Sequence, residues 1–586
     1  AVLMRLKVSK SKNAASFYVT KTIYENGKER TITVEKLGTE KELREKLDGQ
    51  DPYAWAKTYV SELTAKEKEN QREILAPLSP IKQIEKNHPC LFNGGYLFLQ
   101  DIYYDLKLDK ICQTISDRHK FSFDLNSILS YLIYGRIIYP ASKRATHELS
   151  QKFLERPSFE LQHVYRALEV LAKEFDWIQA QLYKNSLAIL PRNTRVLFYD
   201  CTNFFFEIEQ EEGLKQYGLS KEHRPNPIVQ MGLFMDGNGM PLAFSIQKGN
   251  TNEQTTLKPL EKKILSDFEL SQFIVCTDAG LASTANRKYN NLGNRGFITV
   301  QSVKKLKAHL KDWALDPKGW RLAGQDESPE DGYDVRKLSY DSKEDRNKNF
   351  YKERWINEDG LEQRLIVTYS LKYRIYQEQI RNRQVERAQK LIDTAPQKFK
   401  KANQNDYKRF IEQIPYTSDG EKAEKVAFSL NQDVINKEAR YDGFYAVCTN
   451  LASSAEEIIA INHRRWEIEE SFRIMKSELK SRPVYLSRDD RIIAHFMTCF
   501  ISLMVVRVLE KKMGEKFTCQ ETITKLREMN FMELRGEGFI PAYTRTDFTD
   551  SLHEAFGFRT DYQILPTKKM KKIFKMTKTT KKVRTF

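Results

Sequence analysis

Cysteine is scarce in this chain: seven thiols in 586 residues, an odd number and never spaced C-x-x-C. That excludes a disulfide framework and the paired-thiol spacing of a zinc site. Several, such as Cys276 in Phe273-Ile-Val-Cys-Thr277, sit in apolar runs and read as reduced, buried thiols. A long hydrophobic run is missing too. The longest, His495 to Val506, is about twelve residues and stops at Arg507, short of the ~20 that a spanning helix needs. Residues Ala1 to Val8 carry Arg5 and Lys7 where a secretory signal would be apolar. No internal repeat is present, and compositional bias is confined to the extreme C-terminus. These absences point to a cytoplasmic protein without a membrane partner.

What the chain has is core-forming residues and positive charge. Hydrophobic residues make up 40% and charged residues 30%, enough for about three to four domains of ~150 residues. Lys and Arg number 96 against 79 Asp and Glu, a net charge of +17. Such a surplus suits a polyanion, nucleic acid before anionic membrane. It is unevenly spread. The stretch Thr567 to Phe586 holds eight lysines, one arginine and no acid, so about half of the excess sits on a C-terminal tail read as flexible and as a non-specific DNA clamp.

Local patterns divide the chain into segments. Phe17-Tyr-Val-Thr and Thr31-Ile-Thr-Val flank the turn signal Glu25-Asn-Gly27, predicting a hairpin over about 14–37. Residues 40–75 are charged and helical in pattern. Apolar spacings predict helices in Leu125–Ile138 and Val164–Leu187, separated by the loop Tyr139-Pro-Ala-Ser-Lys143. From residue 195 short strands take over: Val196-Leu-Phe-Tyr199, Ile228–Phe234, Leu242–Ile246, Phe273–Thr277 and Gly296–Val300, a mixed α/β pattern. Between about 310 and 440 it is interrupted by a polar stretch, a strand at Leu365–Tyr369 and a basic helix from Tyr373 to Leu391. Strand character resumes at Phe444–Cys448, followed by long helices over Ser454–Leu479 and Asp489–Lys512.

Three carboxylates attract attention. Asp200 and Asp278 each follow a hydrophobic strand, where open α/β sheets place ligand sites. Two such carboxylates repel unless a cation lies between them, and all-oxygen ligation suits Mg²⁺ or Mn²⁺. Both can equally be ordinary strand-end acids. The third lies in Arg464-Arg-Trp-Glu-Ile-Glu-Glu-Ser-Phe-Arg-Ile-Met-Lys476, where Ile468, Phe472, Met475 and Leu479 form the buried stripe. Arg465, Glu469, Arg473 and Lys476 share the adjacent face. Spacing favours Glu469 over Glu467 and Glu470 as a ligand, although a surface helix with i,i+4 ion pairs has the same pattern. His223 and His495 read as structural.

Strand-Asp, strand-Asp and helix-Glu, in that order, resemble the Asp-Asp-Glu core of insertion-sequence transposases with an RNase H-like fold. One branch of that superfamily carries the signature Tyr-x2-Arg-x3-Glu-x6-Lys. Arg465, Glu469 and Lys476 fit its last three positions, whereas the Tyr position is Asn462. Tyr217–Pro225, Gly249–Glu253 with Thr255, Arg482-Pro-Val-Tyr485 and Arg491–Phe496 are similar to stretches of its large-transposase subgroup. The resemblance spans roughly 125–510.

The resemblance implies an α/β catalytic core of RNase H-like type, a mixed sheet flanked by helices, with a β-rich insertion domain. It further implies a mainly helical N-terminal region preceded by a β-hairpin, and a helical C-terminal region with a basic tail. The expected divisions are 1–85, a hairpin and charged helical arm; 86–192, a helical DNA-binding or dimerisation region; 193–312 and 441–515, the two parts of the core; 313–440, the insertion; and 516–586, the C-terminal region. Asp200, Asp278 and Glu469 would be catalytic and would hold two Mg²⁺ (or Mn²⁺) ions per active site. Phosphodiester cleavage at the terminal inverted repeats of a transposon would be followed by joining of its 3′-ends to target DNA, by cut-and-paste with hairpin intermediates. Arg465 and Lys476 inherit phosphate contacts from the signature. Arg473 joins them by helix geometry, and Lys221 and Arg224 by their place beside His223. Trp320 and Trp355 are the insertion's candidates for stacking on a flipped base. Arg136 and the basic loop Ser142–Thr146 are further phosphate candidates, as are Lys10, Lys12 and Lys21 around the hairpin. The partner is double-stranded DNA, bound by a homodimer in a synaptic complex, in a prokaryotic, nucleoid-associated setting. Two other readings remain open: an RNase H-like endonuclease without strand transfer, and a repurposed sequence-specific DNA-binding protein.

Overall fold

The apolar runs from residue 196 onward hydrogen-bond into one sheet. The structure, a computed structural model, describes residues 4–12, 14–25, 28–70, 73–399, 404–416 and 425–580. Among these, nine strands form a mixed sheet in the order Arg321–Leu322, Asn349–Glu358, Leu361–Ser370, Phe444–Thr449, Gly296–Gln301, Ile274–Thr277, Val196–Phe205, Ile228–Asp236 and Pro241–Lys248. Ile274–Thr277 runs parallel to both of its neighbours, Val196–Phe205 and Gly296–Gln301. The remaining pairings are antiparallel. Asp236-Gly-Asn-Gly239 turns Ile228–Asp236 back into Pro241–Lys248, and Gly239 takes φ 78°, the left-handed region that glycine enters without a Cβ penalty.

Because side chains alternate along a strand, each strand feeds two cores. Leu197, Tyr199, Cys201 and Val275 pack on one face with Leu257, Leu260 and Ile264 of the helix Leu257–Asp267. Phe198, Phe204 and Cys276 face the opposite layer, which is helical. Its centre is the helix Asp489–Lys512, packed against the helices Tyr96–Asp105, Leu125–Ile138 and Leu161–Lys173. This helix corrects the expectation of a short apolar run. Arg507 does not end it: the helix runs on for 24 residues in all and is long and apolar enough to cross a membrane. It is instead buried, and Arg507 is accommodated by Glu510 at 3.0 Å and by the hydroxyl of Ser471.

The helices of 86–192, expected as a separate region, bury Tyr96, Ile102, Ile133, Leu168 and Ile178 in the same core as Phe198 and Phe496. The helix Leu125–Ile138 forms as predicted, with Asp124 accepting from Ser127 N as its N-cap. Val164–Leu187 is two helices, Leu161–Lys173 and Phe175–Ser186. The interrupted region also differs from expectation: its strands Arg321–Leu322, Asn349–Glu358 and Leu361–Ser370 extend the main sheet, with Leu365 opposite Cys448 and Val367 opposite Ala446. The basic helix forms at Leu371–Thr394, beside a two-stranded sheet of Ile411–Tyr416 and Lys425–Leu430.

Residues 1–88 with 534–537 make a second compact unit. Its predicted hairpin pairs Ala15–Glu25 with Lys28–Thr39, Thr22 opposite Thr31, while the turn residues Asn26 and Gly27 lie outside the described residues. A third strand, Met4–Lys10, joins Ala15–Glu25. Lys21 is ion-paired with Glu67.

The described part of the C-terminal tail is not a flexible coil. Thr567–Thr577 is a helix that buries Met570 and Ile573, and Lys568, Lys569, Lys571, Lys572 and Lys575 lie exposed along it. None of these five makes an ion pair among the described residues. Deleting the helix would strip apolar surface from the core, so charge neutralisation is the clean test of a DNA role. Changing Lys568, Lys571, Lys572 and Lys575 to Gln should lower the salt slope of duplex binding by about 0.9 for each backbone phosphate no longer neutralised, leaving the melting temperature unchanged. A slope equal to wild type would make the helix a solubilising surface only.

Candidate active site

Register builds the site. In the parallel pair Val196–Phe205 and Ile274–Thr277, Val196 is opposite Ile274, Leu197 opposite Val275 and Phe198 opposite Cys276. Just past the end of that ladder stand Asp200 and, one residue beyond its strand, Asp278, near enough for the Asp278 charge to act on the Asp200 carboxyl. By alternation Asp200 shares the face of Phe198, the face covered by helices. The sequence placed Asp200 after its strand. The strand in fact continues to Phe205, paired on its other edge with Ile228–Asp236. The parallel ladder alone stops at Phe198 and Cys276 and opens at the two aspartates.

Their surroundings set their charge. Burial and the Asp278 carboxylate push the Asp200 carboxyl up to about 6, against the pull of Lys221, the Cys201 N–H and Arg465. The Cys201 N–H donates to Asp200 Oδ1 at 2.7 Å. Lys221 Nζ donates to the Cys201 carbonyl and lies 3.3 Å from Glu253. Burial works against the charge of Lys221, but Asp200 and Glu253 outweigh it and raise its pKa. Asp278 Oδ1 accepts from Leu281 N at 3.1 Å, capping the short turn Ala279–Leu281.

The expected long helix over 454–479 is broken. Ala455–His463 ends at Arg464 and Arg465, Trp466–Arg473 follows, and Ile474–Glu478 is a π-helical turn. Trp466–Arg473 packs against Val196–Phe205, with Ile468 and Phe472 in the helical-layer core. Its three acids differ sharply. Glu467 closes on the turn at Gly239, where a Cβ would lie 1.8 Å from its Oε2. Glu470 accepts from Arg473 at 2.6 and 2.8 Å. Glu469 is exposed and makes no ion pair among the described residues. Among those residues no three His, Cys, Asp or Glu side chains are placed together to hold a metal. The two aspartates are thus neighbours, and Glu469 is on a helix packed against the strand but not gathered with them.

Asn462, at the signature's Tyr position, is buried. Its Nδ2 donates to Tyr445 Oη at 3.1 Å, and its Oδ1 lies 3.7 Å from Cys276 Sγ. Arg465 occupies the N-cap position of Trp466–Arg473 without a side-chain capping bond and is close enough to Asp200 to stabilise its charge. Lys476 lies 3.2 Å from Glu222. Arg473 is exposed and paired with Glu470 and Glu478. Arg224 stacks 4.0 Å over the Phe205 ring.

Several sequence expectations are corrected by burial. Trp320 is 0% exposed, its Nε1 donates to Asp316 O at 2.9 Å and Lys352 lies over its ring, so it has no free face for a base. Trp355 is 49% exposed, with Arg364 5.9 Å from its ring centroid. Arg136 is buried and donates to the carbonyls of Leu479, Lys480 and Ala141, which excludes it as a surface phosphate contact. Lys143 is buried as well, 3.0 Å from His495 Nδ1. His495 in turn hydrogen-bonds Ser481 O through Nε2 at 3.0 Å, the structural role read for it. The sequence missed Arg482 and Glu222, although both lie inside stretches already singled out; nothing in either stretch announced their pairing at 2.7 Å.

Together these features define an α/β protein that presents paired aspartates at an opening in a mixed sheet, with cations around them. A family model described as a transposase DDE domain matches residues 192–505, more than half of the chain. The chain belongs to the transposase DDE domain family. Among solved structures, a cryo-EM structure of a piggyBac transposase synaptic complex with hairpin DNA is similar at 9% identity and a TM-score of 0.33, over 82% of this chain and 84% of that one. A TM-score of that size does not establish a shared fold. No curated protein matches the chain.

Proposed function

We propose that the chain is a DNA transposase that cleaves phosphodiester bonds at transposon ends and joins the 3′-ends to target DNA on an RNase H-like core. Family membership supports the class, and the neighbouring pair Asp200 and Asp278 carries the chemistry. The aspartate pair fits a hard divalent cation, and Glu469 would have to close on the pair to join it. The pair offers oxygen only, and crowding by Asp278 already helps to hold the Asp200 carboxyl near 6. Asp200, Asp278 and Glu469 would hold Mg²⁺ or Mn²⁺, two ions per site. When bound, they activate the attacking oxygen and stabilise the leaving one.

The chain's own residues do the rest. Lys221 and Arg465 favour the ionised form of Asp200. Arg465, Lys476, Lys221, Arg224 and Arg473 supply charge for backbone phosphates. Trp355 is the stacking platform available if a base is flipped during hairpin formation. Two copies would be needed to hold two ends in a synaptic complex.

Since Asp200 must be ionised to ligate, its raised pKa predicts a pH dependence. Acid protonates it in competition with the metal, so at subsaturating Mg²⁺ the affinity for the cation should weaken as the pH falls below about 6. Asp278→Asn, which removes the neighbouring charge, should lower the pH at which the Asp200 carboxyl titrates in the metal-free protein, read by NMR. A cation affinity, measured at subsaturating Mg²⁺, that stays flat down to pH 5 would contradict the assignment of Asp200.

The test of joining is direct. Pre-cleaved ends bearing the terminal repeat that flanks the coding sequence are incubated with a supercoiled plasmid and Mg²⁺. Joined product is expected; cleavage with no joined product would favour the endonuclease reading.

A further inference from the structure

Glu222 stands alone among cations. Its Oε1 accepts from Arg482 Nε at 2.7 Å and lies 3.2 Å from Lys476 Nζ, while Oε2 is 3.8 Å from Arg224 Nε. The three cations come from separate stretches: the 220–224 turn, the π-helical turn after the Glu469 helix, and the segment that follows it. Three positive charges facing one carboxylate leave two uncompensated within this ion-pair cluster. Arg224 and Arg482 lie over the Phe205 ring, at 4.0 and 5.6 Å from its centroid, and Lys476 lies 5.5 Å from that of Phe204. Both aromatics belong to the strand that carries Asp200.

The turn that bears Glu222 is fixed to the same strand. Lys221 N donates to Asn203 Oδ1 at 3.2 Å, and Asn203 Nδ2 donates to Leu219 O at 3.0 Å. Ser220 Oγ accepts from the backbone N–H groups of Glu222 and Arg224, both at 3.3 Å. His223, at φ 55°, takes on local strain to close the turn. Glu222 is therefore placed, and its carboxylate remains reachable, with 22% of the side chain exposed beside 28% of Arg482 and 49% of Arg224. A carboxylate and a phosphate present the same kind of anionic oxygens to guanidinium and ammonium donors.

We propose that Lys476, Arg482 and Arg224 form one phosphate-binding cradle, in which Glu222 is a resident counter-anion that a DNA backbone phosphate displaces. This deepens the transposase reading and rests on it. It adds Arg482 as a DNA contact and gives Glu222 a defined task. The carboxylate keeps the cations assembled when no DNA is bound, and it competes with the phosphate for them. Removing the competitor should tighten DNA binding, whereas removing a cation should weaken it.

The full chain is titrated, in EDTA so that no cleavage occurs, with a fluorescein-labelled duplex carrying the terminal inverted repeat that flanks its coding sequence. Salt is varied, and melting temperatures are recorded alongside. Glu222→Gln is expected to bind roughly three- to tenfold tighter at fixed salt. Arg482→Gln is expected to bind more weakly, with the salt slope reduced by the equivalent of about one phosphate. Glu222→Gln with wild-type melting and unchanged or weaker binding overturns the cradle. So does a wild-type slope for Arg482→Gln, which decides alone if Glu222→Gln fails to fold. A wild-type chain that binds this duplex no better than a scrambled one removes the transposase reading, and the cradle with it. Wild-type binding combined with either of the overturning results removes the cradle alone.

Discussion

Asp200→Ala and Glu469→Gln should each abolish cleavage and joining while leaving duplex binding in EDTA within about twofold of wild type. The reason lies in what each side chain touches. Asp200 lies near Asp278 just past the end of the parallel ladder, and among the described residues its side chain accepts one hydrogen bond, from the Cys201 N–H. Glu469 is exposed and makes no ion pair among the described residues. Neither substitution disturbs the apolar packing, so loss of activity without loss of folding would locate the defect in the chemistry. The neighbouring acid Glu470 provides the control. Glu470→Gln breaks only the Arg473 pair, an exposed ion pair worth about 0–1 kcal/mol, and should retain activity. Equal losses for Glu469→Gln and Glu470→Gln would mean that the helix, not Glu469, is what matters.

The second large effect concerns stability. Arg136→Ala should destabilise the fold by about 3 kcal/mol or more, because three carbonyls, those of Leu479, Lys480 and Ala141, lose their donor inside the core. The same cluster makes stability depend on pH. Burial, then Arg136, pushes Lys143 down to about 7, and His495 beside it falls well below its ordinary value. Between pH 7 and about 10 the unfolded chain carries the lysine proton and the folded chain does not. Stability should therefore rise across that window. Lys143→Met should flatten the rise in thermal denaturation. A salt slope of DNA binding changed by Arg136→Ala, with melting unaffected, would restore Arg136 as a surface phosphate contact.

Local patterns in the chain reach only so far. Leu125–Ile138 was legible to the residue because its apolar spacing starts at an Asp cap and the pattern is local. Asp200 and Asp278 were legible for the same reason, each standing at the end of an apolar run. Basicity, in contrast, does not disclose burial. Arg136 and Lys143 look like surface cations until Leu479, Ser481 and His495, more than 300 positions later, are folded onto them. The strands at 349–370 read as part of a separate insertion because their partner, Phe444–Thr449, follows a long helix and a second small sheet. The break at Arg464 and Arg465 interrupts a helical periodicity that runs on smoothly in the sequence, since no Gly or Pro marks it. Glu222 was invisible as a partner of Lys476 because charge complementarity across distant segments leaves no local signature.

On the proposed reading, Asp200, Asp278 and Glu469 carry out divalent-cation chemistry on the ends of a transposon. The measurement that meets it most directly is cleavage of a duplex spanning one terminal inverted repeat and its flank, with and without Mg²⁺. Strand breaks at the boundary between repeat and flank, dependent on Mg²⁺ and absent in Asp200→Ala, are the predicted result. Boundary cleavage that persists unchanged in Asp200→Ala would contradict the account.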